Sequence, residues 1–153
     1  IMTKIDVIES EKLKLVKVNK SKLHAQILYK ILKNKDDKVR ISHTSKTSLE
    51  AHIKFINSLQ YRHWFIIKKT RSILGSVYIT ASNEIAISLL KKSKKNFNEI
   101  LNIIITNIQP LPGIPSRRSK QFILNLSPSN KYYIKLLKDF GAKKIQETYL
   151  IEK

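Results

Sequence analysis

Ser127-Pro-Ser-Asn130-Lys-Tyr-Tyr133-Ile-Lys-Leu-Leu137-Lys-Asp-Phe-Gly141-Ala142 reads as a helix with its own start and stop. Ser127 can cap the first turn, and Pro128 suits the first helical position, where an N–H would be unpaired anyway. Gly141 can take the left-handed conformation that closes a helix. Between them Tyr133, Ile134, Leu136, Leu137 and Phe140 fall at helical spacing. Residues 143–151, which follow, read as a strand.

Upstream, the pattern alternates between strand and helix. Residues 12–18 set Leu13, Leu15, Val16 and Val18 among lysines and predict a first strand. Residues 21–32 place Leu23, Ile27, Leu28, Ile31 and Leu32 on one helical face, and the polar stretch 33–48 reads as a loop. A second helix opens at Thr47-Ser-Leu-Glu50, a capping-box spacing, and runs to about residue 60. Strands at 63–69 and 72–80, joined by a short turn, predict a hairpin, with Gly75 marking a bulge or a close backbone approach. A short Ile-rich strand follows at 84–89. Asn96-Phe-Asn-Glu99 then repeats the capping pattern and opens a helix through Ile108, which Pro110, Pro112 and Pro115 break. A fifth strand is expected at 121–126. The order β-α-α-β-β-β-α-β-α-β is an α/β layout, and its strand–helix–strand unit at 84–126 calls for a parallel crossover. No repeat, low-complexity tract or Pro/Gly-rich linker interrupts it, so one domain over 1–153 is expected.

A helix opened by Asn130, closed by Gly141 and followed by a strand resembles the closing motif of the GNAT superfamily of acetyl-CoA-dependent N-acetyltransferases. The resemblance covers about residues 39–151. It implies a mixed, mostly antiparallel sheet with one parallel β-α-β unit and flanking helices. It also implies acetyl-CoA as co-substrate. In that family a central strand offers backbone groups to the pantetheine arm, which here points to Ile87, Ser88 and Leu89. A loop and helix N-terminus hold the pyrophosphate, which points to Lys92, Ser93, Lys94, Lys95, Asn96 and Phe97, with Asn130 beside them. A helix N-terminus presents unpaired N–H groups and partial positive charge to anions, and four lysines at 91–95 strengthen that field. The chain departs from the family in two places. Its loop lacks the glycines of the family's Arg/Gln-x-x-Gly-x-Gly/Ala pattern. Leu137 stands where many members carry the Tyr that protonates the leaving thiolate.

Tyr133, one turn earlier on the same face, is therefore the candidate acid. Glu84, opening the central strand, is the candidate base, and His63 and Tyr78 are further cleft candidates. Val39-Arg40 with Ser48-Leu-Glu50-Ala-His52-Ile-Lys-Phe55-Ile56-Asn-Ser-Leu59 resembles the opening of members that acetylate amino-sugar nucleotides or protein N-termini. Arg117, Arg118 and Lys120 fall at the opposite end of the crossover from the lysine loop. His24, His43 and His52 lack the spacing of a metal site, so no metal is expected.

Composition bounds the function. With 30 Lys+Arg against 11 Asp+Glu, the net charge is +19, a footprint that suits polyanions. Abundant Lys, Ile and Asn also fit AT-rich codon bias, and Lys spread along the whole chain is poor material for base readout, where Arg dominates. Diffuse solvated charge is thus the preferred reading over a nucleic-acid surface. The absence of cysteine excludes disulfides and thiolate chemistry. The longest apolar run, 100–108, falls far short of the roughly 20 residues a bilayer span needs. No signal-like start is present, so a cytoplasmic protein without membrane contact is expected. The expected function is acetyl transfer from acetyl-CoA to a primary amine, on an amino-sugar nucleotide or a protein. The alternative is a catalytically degenerate member that binds nucleic acid or an acidic partner.

Overall fold

The computed structural model describes residues 5–10, 12–34, 48–58 and 60–152. Its elements are β1 (Val7–Glu9), β2 (Leu13–Lys17), α1 (Lys22–Asn34), α2 (Leu49–Ser58), β3 (His63–Lys69), β4 (Ser72–Ile79), β5 (Ile85–Leu89), α3 (Lys94–Asn107) and α4 (Lys131–Phe140). The strands form a five-stranded sheet in sequence order, every neighbouring pair antiparallel.

Side-chain alternation divides the core between the two faces of this sheet. Leu13, Leu15, Phe65, Ile67, Val77, Ile79 and Ile85 pack with Phe97, Ile100, Leu101 and Ile104 of α3 and Leu136 of α4. On the other face Val18, Trp64 and Ile66 pack with Ala25 and Leu28 of α1 and Ile56 of α2. The hairpin β3–β4 carries the expected irregularity, its register shifting so that Ile67 faces Gly75 while Lys68 faces Ile73. Gly75 is also a close backbone approach. A Cβ there would stand 1.9 Å from the Ser88 carbonyl oxygen, so only glycine lets β5 lie this near β4.

Several expected boundaries move, each for a visible reason. The helix expected from Asn96 begins at Lys94, because Ser93 takes the N-cap and its Oγ accepts the Asn96 N–H at 3.1 Å. Glu99 then turns to tertiary contact and accepts from Ser10 Oγ at 3.2 Å. Likewise α4 opens at Asn130 rather than Ser127. Residues 127–130 form a turn in which the Asn130 N–H reaches the Ser127 carbonyl at 2.9 Å, with Pro128 at the position turns favour. Gly141 ends α4 as expected, at φ 104. Ser48, whose Oγ accepts the Ala51 N–H, caps α2; Thr47, Val39 and Arg40 lie outside the described residues, as does His43.

Two expected strands do not form. Segment 121–126 meets the sheet through a single parallel bridge, Glu84 with Ile123, and segment 143–151 is extended but pairs with no strand among the described residues. A pattern of apolar residues marks β-competence, whereas a strand also requires a neighbour to complete its ladder.

Candidate active site

The sheet's open edge is β5. The Ile85 N–H points away from β4 and donates to the Ile123 carbonyl at 2.8 Å, while Thr80 and Leu74 bond Glu84 and Leu90 on the β4 side. The two-residue period of a strand therefore turns the N–H and C=O of Ile87 and Leu89 outward as well. After Ile123 the 121–126 segment leaves β5, so these groups face a gap with no backbone partner among the described residues. Ser88 turns its backbone to β4, opposite Ser76.

Asn83 fixes the vertex of this gap. It is fully buried at φ 64, and its Nδ2 donates to the carbonyls of Leu111 and Ser119, each at 2.8 Å. Its Oδ1 accepts the Leu111 N–H at 2.8 Å, and its carbonyl accepts the Ile123 N–H at 2.9 Å. One side chain thereby ties the turn before β5 to the connection that delivers Ile123. Arg118 reinforces the tie, its guanidinium reaching the carbonyls of Pro112 and Ala81. That places Arg118 at the Glu84 end, away from the lysine loop, as expected.

At the other end of β5 the first turn of α3 packs along α4. Phe97 and Tyr133 rings stand 5.0 Å apart, Lys92 Nζ lies 5.3 Å from the Tyr132 ring, and Lys94 pairs with Asp139 in the last turn of α4 at 3.5 Å. The N–H groups of Asn96 and Phe97 are taken by Ser93, and the Phe97 side chain is buried in the core. The N–H groups of Lys94 and Lys95 are left without backbone partners among the described residues, and these face the helix's positive end. Asn130 caps α4 by backbone alone, its side chain making no capping bond.

Tyr133 sits on the α3–α4 side, packed against the same core as Ile87 and Leu89. Its hydroxyl is buried and has no hydrogen-bond partner among the described residues. Burial, then the neighbouring Tyr132, pushes its pKa up to about 12, so the phenol holds its proton at neutral pH. Leu137 packs beside it.

Glu84 lies five residues from Leu89, about 17 Å along the strand at ~3.4 Å per residue. Its carboxylate accepts from Asn125 Nδ2 at 2.5 Å, a bond across the gap. On this side Tyr78 stacks on Tyr61 with centroids 3.7 Å apart, and Tyr61 meets Trp64 and Phe55 edge to face. Burial raises the pKa of both tyrosines, and the Glu84 charge adds to it. His63 falls on the opposite face, stacked on Phe65 and opposite Ile79, so it does not join Glu84 and Tyr78. Burial, then Arg62 and Lys17, lower its pKa. His24 Nδ1 accepts the Asn19 N–H at 3.0 Å, a structural role. Among the described residues no three His, Cys, Asp or Glu side chains converge, and no helix is long and apolar enough to cross a membrane.

The chain as a whole superposes on known structures over most of its length. RimL, a ribosomal L7/L12 alpha-N-protein acetyltransferase solved with coenzyme A, superposes with TM-score 0.66 at 14% identity over 88% of this chain and 82% of its own. The fold is that of the GNAT acetyltransferases. The microcin C7 self-immunity acetyltransferase MccE, solved with acetyl-CoA and AMP, gives 0.63 at 16% identity, covering 86% of this chain and 79% of its own. An acetyltransferase from Salmonella typhimurium, which modifies the N-terminal serine of L7/L12, gives 0.63 at 16%, covering 88% and 83%. No family model matches the chain, and no curated protein matches its sequence. Within the GNAT fold, the residues that sequence reasoning missed are Asn83, Asn125 and Tyr61. Asn83 carried a faint signal, since an Asn between a strand and a short Ile-rich strand suits a left-handed turn.

Proposed function

We propose that this chain is an N-acyltransferase that moves the acetyl group of acetyl-CoA to a primary amine. The observation that carries the reading is the gap beside β5. Ile87 and Leu89 offer outward N–H and C=O groups to a pantetheine amide chain, and the free N–H groups of Lys94 and Lys95 stand at its end for a pyrophosphate. The side chains of Lys91, Lys92 and Lys95 add positive charge there. The absence of loop glycines is offset in this reading by side-chain charge.

The amine nitrogen attacks the thioester carbonyl carbon, the carbon–sulfur bond breaks, and the thiolate takes the Tyr133 proton. An outward N–H of β5 stabilises the developing oxyanion. Before attack Glu84, held by Asn125, takes a proton through water and turns the acceptor's ammonium into the nucleophilic amine; after attack the nitrogen's remaining surplus proton restores the Tyr133 phenol through water. The acceptor is an amine on a protein, in line with the ribosomal L7/L12 target of RimL, or an amino-sugar nucleotide. The net charge of +19 favours an acidic or phosphorylated acceptor by steering.

Isothermal titration at near-physiological salt tests this. Acetyl-CoA is expected to bind one to one, and Lys91→Ala with Lys92→Ala to weaken it about tenfold, each exposed charge–phosphate contact contributing on the order of 0.5–1 kcal/mol. No saturable binding at high ligand concentration would overturn the transferase reading and leave the fold serving as a binding scaffold.

A further inference from the structure

Between α1, the start of α2 and the chain just past β5 lies an open cavity of about 430 Å³. One face of α1 lines it: Gln26, Tyr29, Lys30 and Lys33 recur at the three- and four-residue spacing that stacks side chains along a helix. The opposite face of the same helix, with His24, Ala25, Leu28 and Ile31, is buried. Two contacts fix this wall. The Tyr29 ring stands 5.8 Å from that of buried His52 on α2, and Asn34 Nδ2 donates to the Leu90 carbonyl at 3.2 Å, holding the end of α1 to the end of β5. The α1 face offers an anion two ammonium groups, the Gln26 amide and the Tyr29 phenol, and no carboxylate lines the cavity among the described residues. Lys33 Nζ lies 5.4 Å from the Tyr29 ring centre, a cation–π contact against the wall. Neither lysine pairs with a carboxylate among the described residues.

We propose that this cavity binds a phosphoryl group, with Lys30 and Lys33 balancing its charge and Gln26 and Tyr29 donating to its oxygens. A lysine alone on a surface has its field screened by water and salt. Two unpaired ammonium groups in one concave site focus theirs, and a charged donor bonds a phosphate oxygen about twice as strongly as a neutral one. The site adjoins the lysine loop 91–95 through Leu90, but on the other face of the sheet: α1 and α2 pack there, α3 and α4 opposite. On the transferase reading the phosphoryl group therefore belongs to one of the two substrates. It is the ribose phosphate of coenzyme A, reaching round the end of β5, or part of a phosphorylated acceptor entering along α1 and α2. The anion site itself does not rest on that reading.

The probe is inorganic pyrophosphate, followed through amide shifts of the isotope-labelled full chain at near-physiological salt. Saturable shifts are expected at Lys33 and Asn34, separate from any at Lys94 and Lys95. Lys30→Ala with Lys33→Ala is expected to weaken the binding read at Asn34 about tenfold. Lys20→Ala with Lys22→Ala removes the same charge outside the cavity and is expected to weaken it less than about twofold. Lys22 lies about 12 Å along α1 from Lys30, beyond the ~8 Å over which charge is felt at physiological salt. All four lysines are exposed, and matching circular dichroism confirms that each variant keeps its fold. Equal weakening by the two pairs would reduce the site to diffuse charge and overturn the proposal. So would pyrophosphate that shifts Lys94 and Lys95 but leaves Lys33 and Asn34 unmoved. Repeating the titration with cofactor present identifies the source. Displacement from Asn34 by acetyl-CoA but not by acetyl-dephospho-CoA assigns the site to the ribose phosphate; binding that persists under saturating acetyl-CoA assigns it to the acceptor. If acetyl-CoA does not bind at all, the transferase reading fails while the pyrophosphate result stands.

Discussion

Tyr133→Phe is expected to lower kcat about 100-fold, the lower end of what a positioned general acid contributes, while leaving the fold as stable or slightly more so. The two effects separate because the hydroxyl is buried without a partner: it supports no structure, and removing it relieves an unsatisfied group worth about 1 kcal/mol. The Phe ring keeps the contacts with Phe97 and Tyr132. Release of free thiol from acetyl-CoA with a peptide amine as acceptor reads the rate, and chemical denaturation reads the stability. With its pKa pushed up to about 12, the phenol is neutral across the physiological range. The wild-type rate therefore does not fall through Tyr133 ionisation until strongly alkaline pH, as an acid requires. A kcat within threefold of wild type would assign the proton to water and remove Tyr133 from the mechanism.

Asn83→Ala is expected to cost about 4 kcal/mol, close to the whole stability of a marginal domain. It deletes three hydrogen bonds made by a fully buried side chain and strands the Leu111 N–H and the Leu111 and Ser119 carbonyls, at about 1 kcal/mol or more each. Alanine keeps the Cβ that asparagine already carries at φ 64, a strain of about 1 kcal/mol. Asn83→Gly removes the same bonds without that strain and is expected to be about 1 kcal/mol less harmful. Urea denaturation at constant m-value measures both. A loss below about 1 kcal/mol for the alanine variant would mean that the 109–123 connection holds its place without Asn83, and that the vertex of the gap is set elsewhere.

The elements with strong local signals were legible in the chain. The hairpin at 63–79 alternates, α4 ends at a glycine that must be left-handed, and α1 presents one apolar face. Cap positions slipped where two candidates competed: Ser93 outranks Asn96 because only Ser93 has the backbone geometry to receive the third N–H of the helix. Segments 121–126 and 143–151 have strand composition without becoming strands, since pairing is a tertiary matter. Candidate site residues fared according to the same division. Ile87 and Leu89 follow from a two-residue period once a single bridge fixes the phase, and Ser88 drops to the β4 side by the same rule. Asn83, Asn125 and Tyr61 act through partners 28 to 41 residues away or through a ring stacked from another element, which no local pattern announces.

The central claim is that acetyl-CoA lies along the open edge of β5. Amide chemical shifts of the isotope-labelled chain, followed during titration with acetyl-CoA, test it residue by residue. The account predicts saturable shifts at the amides of Ile87 and Leu89, together with Lys94 and Lys95, while Ala86, whose N–H is bonded within the sheet, moves less. Saturable binding whose shifts bypass Ile87 and Leu89 would contradict it.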